Sequence, residues 1–286
     1  MRGGQWQAWY LMRGLREHGH QCRLLTPEPS PLGERARAEG LDTGPLGLFT
    51  IRRLAKEADI VHAHSGRAHV LAAAAFAEPL VVSRRVAFPV RRSPASRWTY
   101  SRPRRFLAIS KHVKQMLLAA GVPENRIRVV YDGAPALEAA AGGTKVISPA
   151  TDDPRKGAAL VREAAAMAGV SVVFSEDLER DLRDAAMLVY ITESEGLGSG
   201  ALLAMSAGVP VIASRVGGLC EVIEDGVTGF LIHNDPAAIA GLIRRLTNDP
   251  ALRAALGRKA RERARERFSL QRMVDGTLKV YHEVLS

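Results

Sequence analysis

Short apolar runs of strand length alternate along this chain with amphipathic stretches of helix length, and that alternation constrains the fold more than any other feature. Ile60-Val61-His62-Ala63, Leu80-Val81-Val82-Ser83 and Phe106-Leu107-Ala108-Ile109 each give way to a helical pattern. A strand that returns to its sheet through a helix lies parallel to its neighbour, so the expectation is α/β with parallel sheets. Ahead of these, a helix from Trp6 to His18 is stopped by Gly19, and Gln21-Cys22-Arg23-Leu24-Leu25 reads as a strand closed by Thr26-Pro27. Ser110 is placed to cap a helix that runs to Ala120 and ends at Gly121.

Residues 135–144, alanine-rich with Gly142-Gly143, have no periodic apolar face and separate this series from a second one. The second comprises strand Lys145 to Ser148, a helix from Lys156, strand Val170 to Phe174, a helix near Leu178 to Ala186 and strand Met187 to Ile191. It continues with helix Ala201 to Ala207 and strands Val209 to Ala213 and Gly229 to Ile232. Asp235-Pro236 and Asp249-Pro250 each set an N-cap before a proline at the first helical position. The 286 residues suit two domains, expected at 1–140 and 141–266, with a closing helix at 267–286 that packs back on the first. Residues 258–267 space Glu and Arg four apart and read as a solvated helix face.

Two cysteines far apart, Cys22 and Cys220, without a CxxC partner, argue for free thiols. No apolar run approaches the roughly 20 residues of a membrane span, and Met1 to Trp6 carries no signal-peptide core. A cytoplasmic chain is expected, membrane-surface contact remaining open. The net charge of +10 sits in residues 1–140, which hold 22 Lys and Arg against 11 Asp and Glu. Arg84, Arg85, Arg91, Arg92, Arg97, Arg102, Arg104 and Arg105 fall in one stretch without an acid. Such a field suits an anionic lipid, a phosphorylated acceptor or nucleic acid, or is a merely soluble arginine-rich surface. Nucleic acid is the weaker partner, because the stretch fits no recognition motif.

The segment Glu193-Ser194-Glu195-Gly196-Leu197-Gly198-Ser199-Gly200 lies between a strand and a helix. Ligands of open parallel sheets bind at the carboxyl ends of strands, where a glycine-rich turn lets amides at a helix start approach a phosphate. A carboxylate at that place is repelled by phosphate and suits the hydroxyls of a sugar. A tight strand-to-helix turn without a ligand explains the glycines equally well.

Downstream come Ala204-Met205, Ala207-Gly208-Val209-Pro210-Val211-Ile212-Ala213-Ser214, Val216-Gly217-Gly218-Leu219-Cys220-Glu221-Val222-Ile223 and Asp225-Gly226-Val227-Thr228-Gly229-Phe230-Leu231. This order resembles glycosyltransferase family 4, the retaining, nucleotide-sugar-dependent group with the GT-B fold. Gly3-Gly4, Gly19-His20, Asp59 to His62, Ile109-Ser110, Val129 to Gly133 and Lys156-Gly157 look like further landmarks of the family and extend the likeness along nearly the whole chain. The resemblance implies two Rossmann-like domains facing across a cleft, the acceptor on the first and the nucleotide-sugar on the second. No cofactor or metal is implied; the nucleotide-diphosphate-sugar is the donor substrate.

The resemblance assigns Glu195 to the sugar hydroxyls, and Lys156, the Gly198, Ser199 and Gly200 amides, and Gly3 and Gly4 to the diphosphate. It also implies a role in envelope polysaccharide or lipopolysaccharide synthesis. Three departures stand out. Leu203 occupies the place of a second glutamate that would hold the ribose, and an aliphatic side chain accepts no hydrogen bond. Pro149-Ala150-Thr151 occupies the place of an arginine, for which Arg155 is the expected substitute. The family begins with a strand before the Gly-Gly turn where this chain has Met1-Arg2, so the first sheet is expected to lack its central strand unless another segment fills the slot.

Among His62, His64 and His69, alternation along the strand makes His62 core-facing and sends His64 toward the ligand side, where family members place a histidine near the sugar. No Asp, Glu or Cys lies close enough in sequence to complete a metal triad, and a structural or capping role stays open. Arg84 and Arg85 stand where the family often has a histidine, which suggests a ligand richer in negative charge than a plain sugar. The leading expectation is a retaining glycosyltransferase acting on an anionic glycolipid or polysaccharide precursor. The alternative is an inactive GT-B protein that binds a nucleotide or a partner.

Overall fold

Several helix starts in this chain are written as side-chain caps. Ser30, Ser65, Ser93, Ser110, Asp235 and Asp249 each accept a hydrogen bond from a backbone amide in the first turn that follows. In a computed structural model that describes residues 3–90, 93–140 and 142–286, these caps feed two units, Met1–Asp132 with Leu270–Ser286, and Gly133–Ser269.

The first unit runs α1 (Gly3–Glu17), β1 (Arg23–Thr26), α2 (Pro31–Ala38), β2 (Asp42–Pro45), α3 (Leu48–Leu54), β3 (Val61–Ala63), α4 (Gly66–Ala74), β4 (Leu80–Arg84), α5 (Pro94–Ser101), β5 (Arg105–Ala108), α6 (Lys111–Ala119) and β6 (Ile127–Val129). Strands β3, β4, β5 and β6 form a parallel sheet in that order, while β1 and β2 pair only with each other among the described residues. The first helix starts earlier than its sequence pattern: Gly3 and Gly4 are its opening residues rather than a turn before it. Gly4 lies against the aliphatic stem of Arg85, a Cβ there falling 3.6 Å from its Cδ.

The second unit runs β7 (Lys145–Pro149), α7 (Ala158–Ala168), β8 (Val172–Ser175), α8 (Leu178–Asp181), β9 (Ala185–Tyr190), α9 (Ser199–Ser206), β10 (Val211–Ser214), α10 (Leu219–Val222), β11 (Gly229–Ile232), α11 (Pro236–Asn248) and α12 (Pro250–Arg267). Its five strands are parallel in the order β11-β10-β9-β7-β8. The central strands bury both faces, so they read as unbroken apolar runs such as Ala185 to Val189. Val146, Met187, Val189 and Ile212 pack with Val161 and Ala164 of α7 and Ile239 and Ile243 of α11. Full burial of one such large aliphatic side chain contributes about 1.5 to 3 kcal/mol. The helix expected near 178–186 is one turn long, because residues from Ala185 onward are drawn into register with β7 at Lys145.

The change of unit falls at Asp132 rather than at 140. Residues 133–140 are tied into the second unit: the Ala134 amide donates to Phe268 O, Leu137 to Ser206 Oγ and Ala140 to Ala207 O. The closing helix α13 (Leu270–Leu285) belongs to the first unit, where Val274 fills the notch left by Gly14 of α1. The Arg-Glu stretch of α12 is not wholly a solvated face. Arg263 donates to the carbonyls of Val222 and Glu221 at the end of α10, and Arg261 to that of Leu137.

Candidate active site

In the second unit, the loops after β7, β9 and β10 meet at the carboxyl edge of the sheet. Thr192 N donates to Ser214 Oγ at 2.8 Å, Ser214 Oγ to Asn234 Oδ1 at 2.6 Å, and Asn234 Nδ2 returns to Thr192 O at 3.1 Å, so the ends of β9, β10 and β11 are locked by one closed polar ring. The Glu193 amide donates to Arg155 O, and the Gly218 amide to Glu195 O. Gly218 has to be glycine, since a Cβ would fall 2.1 Å from Gly196 O. Backbone contacts on both sides therefore fix where Glu195 stands.

Its side chain is equally determined. Glu195 Oε2 accepts from Lys156 Nζ at 2.8 Å and from Tyr190 Oη at 2.9 Å, and Oε1 accepts from the Gly196 amide at 3.1 Å. The Glu195 side chain is 17% exposed and that of Lys156 36%, so the pair stands at the surface of the loop cluster rather than inside it. Burial, reinforced by the neighbouring carboxylate, pushes the Tyr190 phenol well above its ordinary range, which keeps it a donor. Beside them Gly198, at φ +105°, opens α9 without a side-chain cap. The first-turn amides of α9 thus have no partner within the helix and carry its positive end. A Cβ on Gly200 would press on the Tyr190 ring at 2.8 Å, so this glycine makes room for the phenol.

The sequence-predicted residues of this unit come together selectively. Lys156, Glu195, Gly198, Ser199 and Gly200 share the loop cluster. Arg155 turns onto Asp153, donating through Nε at 3.0 Å and Nη2 at 2.8 Å on an exposed turn. Leu203 lies partly buried in α9. Tyr190 was missed; its signal was a polar-tipped aromatic ending an otherwise aliphatic strand.

In the first unit, His64 follows β3 and Arg85 follows β4. Arg85 Nη1 donates to His64 Nδ1 at 2.9 Å, and Arg85 Nε to Asp132 Oδ1 at 3.1 Å, with side chains 10% and 8% exposed at the ion pair. The His62 and His64 rings are 4.0 Å apart. His62 is held on the core side by Tyr281 Oη at 2.6 Å and Ser83 Oγ at 2.9 Å. Desolvation, with Arg85 adding, lowers the His62 pKa to about 3; desolvation, then His62 and Arg85, lower that of His64 well below the ordinary value. His69 is buried and bonded to Thr99 O, which leaves it structural. Among the described residues no group of three His, Cys, Asp or Glu is placed to hold a metal ion.

The arginine stretch differs from its sequence reading. Arg84 is bonded to Tyr100 Oη and Phe88 O, Arg85 to His64 and Asp132, Arg102 to Glu78, and Arg105 pairs with Glu283. Arg84 and Arg85, read as recruiters of negative charge, are taken up by the protein itself. Arg97 and Arg104 are exposed, and Arg91 and Arg92 lie outside the described residues.

A model of Glycosyl transferases group 1 matches residues 160–263, and a model of Glycosyltransferase Family 4 matches residues 1–136. The chain belongs to the family 4 glycosyltransferases. Over 110 residues it is 42% identical to the D-inositol 3-phosphate glycosyltransferase of Streptomyces avermitilis, a match covering 38% of this chain and 24% of that protein. The chain thus spans about a quarter of the length of the curated relatives it matches. Among solved structures, Anabaena Alr3699/HepE in complex with UDP-glucose superposes with a TM-score of 0.86 at 16% identity, covering 99% of this chain and 96% of that one. A glycosyltransferase from Rickettsia africae ESF-5 gives 0.81 at 16% identity, covering 99% and 95%. These likenesses show the fold, and the α/β GT-B class expected from the sequence is the one found.

Proposed function

We propose that this family 4 member transfers a sugar, with retention at the anomeric carbon, from a nucleotide-diphosphate-sugar to an anionic glycolipid or polysaccharide precursor. The observation that carries the reading is the Lys156–Glu195–Tyr190 cluster beside the uncapped start of α9. The cluster sets a partly exposed cation, a carboxylate held by three donors and a row of amides side by side, which is what a diphosphate joined to a polyhydroxyl ring needs. The bond from sugar to phosphate breaks toward an oxocarbenium-like state, and negative charge collects on the departing diphosphate. Lys156 and the amides of Ser199 and Gly200 meet that charge, each charge-assisted contact being worth about 1.5 to 3 kcal/mol. Glu195 orients the sugar hydroxyls. From the first unit, Gly3 and Gly4 in the first turn of α1 serve the diphosphate, and His64 serves the neighbourhood of the reacting carbon.

The Anabaena structure of like fold, in complex with UDP-glucose, supports a nucleotide-sugar donor for this chain as well. Exposed Arg97 and Arg104 support an anionic acceptor and contact with an acidic membrane surface; no helix of the described residues is long and apolar enough to cross a membrane. A cytoplasmic site of action, with no bound metal or cofactor, completes the reading. The test is a screen of nucleotide-sugars for donor hydrolysis and transfer, with the anomeric configuration of the product read by NMR. Glu195→Ala is expected to suppress turnover; transfer at the wild-type rate in that variant would refute the assignment. A second reading, a catalytically silent nucleotide binder, draws on Leu203 and is supported if diphosphates bind by calorimetry while every donor stays intact.

A further inference from the structure

The two neighbouring histidines of the first unit differ in what their surroundings permit. His62 faces two hydroxyls, Tyr281 Oη at Nδ1 and Ser83 Oγ at Nε2. A hydroxyl donates or accepts as required, so either tautomer of His62 is satisfied. His64 has no such freedom. Its Nδ1 faces a guanidinium, which has donors only and does not lose its proton.

We propose that Arg85, itself anchored by Asp132, is a positioning residue that holds His64 as the neutral imidazole with its proton on Nε2, presenting a hydrogen-bond donor and never a base. The donor role of His64 toward a sugar or phosphate oxygen rests on the glycosyltransferase reading; the tautomer does not. Three observations support it. Nδ1 is occupied by Arg85 Nη1–H, so the single proton of a neutral ring has only Nε2 to sit on. No hydrogen bond to Nε2 exists among the described residues, and His64 as a residue is only partly buried, so this N–H has no protein acceptor there. The buried ion pair with Asp132 through Nε fixes the guanidinium whose Nη1 reaches His64.

The charged and titratable groups that face His64 agree. Arg85 from the end of β4 opposes a second positive charge on the ring, and the tilted His62 ring from β3, its centroid 4.0 Å away, acts in the same direction. Asp132, the one carboxylate in the cluster, has its contact spent on Arg85 Nε. Tyr281 of α13 touches His62 rather than His64. Nothing in the cluster would repay protonation of His64.

The experiment is two-bond nitrogen-proton NMR of the 15N-histidine-labelled full chain, His64 being assigned from its absence in His64→Gln. Expected is a single Nε2–H tautomer for His64 that does not titrate between pH 5.5 and 8. A ring protonated on Nδ1, or one that titrates near its ordinary value of about 6.5, would overturn the proposal. The double variant Arg85→Met/Asp132→Asn removes both charges of the pair together; in it, checked as folded by circular dichroism, the tautomer restriction should be lost. Donor turnover then reads the role. His64→Ala should lower kcat/KM about tenfold, as expected for the loss of one well-placed hydrogen bond, and His64→Gln, which keeps an N–H donor, should recover part of it. Full activity in His64→Ala refutes the donor role. If wild-type protein turns over no donor at all, the glycosyltransferase reading falls while the spectrum still decides the tautomer.

Discussion

The carboxyl edges of the two sheets spend their charges in opposite ways. In the second unit the cation and carboxylate, Lys156 and Glu195, sit partly exposed on loops and hold each other with single contacts that a ligand can replace. In the first unit Arg85 and Asp132 are almost fully buried, and Arg85 also binds His64, so its charge is already used. A partly exposed ion pair costs little to open, because water and salt screen it, whereas a buried pair broken on one side leaves a charge without solvent. The contrast leaves the second edge with a cation and a carboxylate that stand partly exposed, as the proposed donor site requires. The first edge keeps its charges in buried contacts within the protein.

The sharpest way to break this contrast is to delete one cation from each edge. Arg85→Met leaves Asp132 buried and unpaired, and the expected loss of stability is about 3 to 5 kcal/mol, read from denaturant unfolding. Lys156→Met should cost no more than about 1 kcal/mol of stability but lower kcat/KM by about 10- to 100-fold, through loss of a contact worth about 1.5 to 3 kcal/mol to the leaving diphosphate. If Lys156→Met proves the more destabilising of the two, the division of labour drawn between the units is wrong.

Acid offers a gentler test of the same point. The imidazoles with lowered pKa values, His62, His64 and His69, all lie in the first unit. A histidine kept neutral when folded takes up a proton on unfolding, so its contribution is complete above about pH 6.5 and is lost as pH falls toward about 4 for His69 and about 3 for His62. Each should add up to about 1.4 kcal/mol per pH unit to the slope within that window. Thermal midpoints measured from pH 7 to 4.5 should fall accordingly, and His69→Phe should flatten the slope. An unchanged slope in that variant would show that His69 is not held neutral.

Much of this was legible in the sequence, and the parts that were not have physical reasons. Parallel strands buried on both faces announce themselves as apolar runs, and Asp-Pro or Ser caps mark helix starts, so the α/β alternation and the glycine turn at 196–200 could be read locally. Gly3 and Gly4 were misjudged because glycine suggests a turn, while the packing of α1 on α13 continues the helix to the first described residue. Arg85 and Asp132 are far apart in the chain, and a charge reads as free until its distant partner is known. Short, weakly patterned elements such as α2, β2 and α3 gave no periodic signal and are held by their neighbours. Tyr190 was hidden for a different cause: its partner Glu195 is only five residues on, but the turn that brings them together lies beyond the end of the strand.

Tyr190 supplies the finest probe of how firmly the second edge is set. Tyr190→Phe keeps the ring and removes only the hydroxyl that donates to Glu195 Oε2, a loss of about 0.5 to 1.5 kcal/mol for one hydrogen bond. Because Lys156 still reaches the same oxygen, stability should barely change and the donor KM should rise only a few-fold. Gly200→Ala approaches the phenol from the other side: its Cβ would sit 2.8 Å from the Tyr190 ring and displace it while leaving the hydroxyl in the molecule. If the carboxylate depends on where the phenol stands, the two substitutions should raise KM by similar factors. Should Gly200→Ala impair donor binding while Tyr190→Phe leaves it untouched, the amides at the start of α9, not the orientation of Glu195, would be the element that the glycine protects.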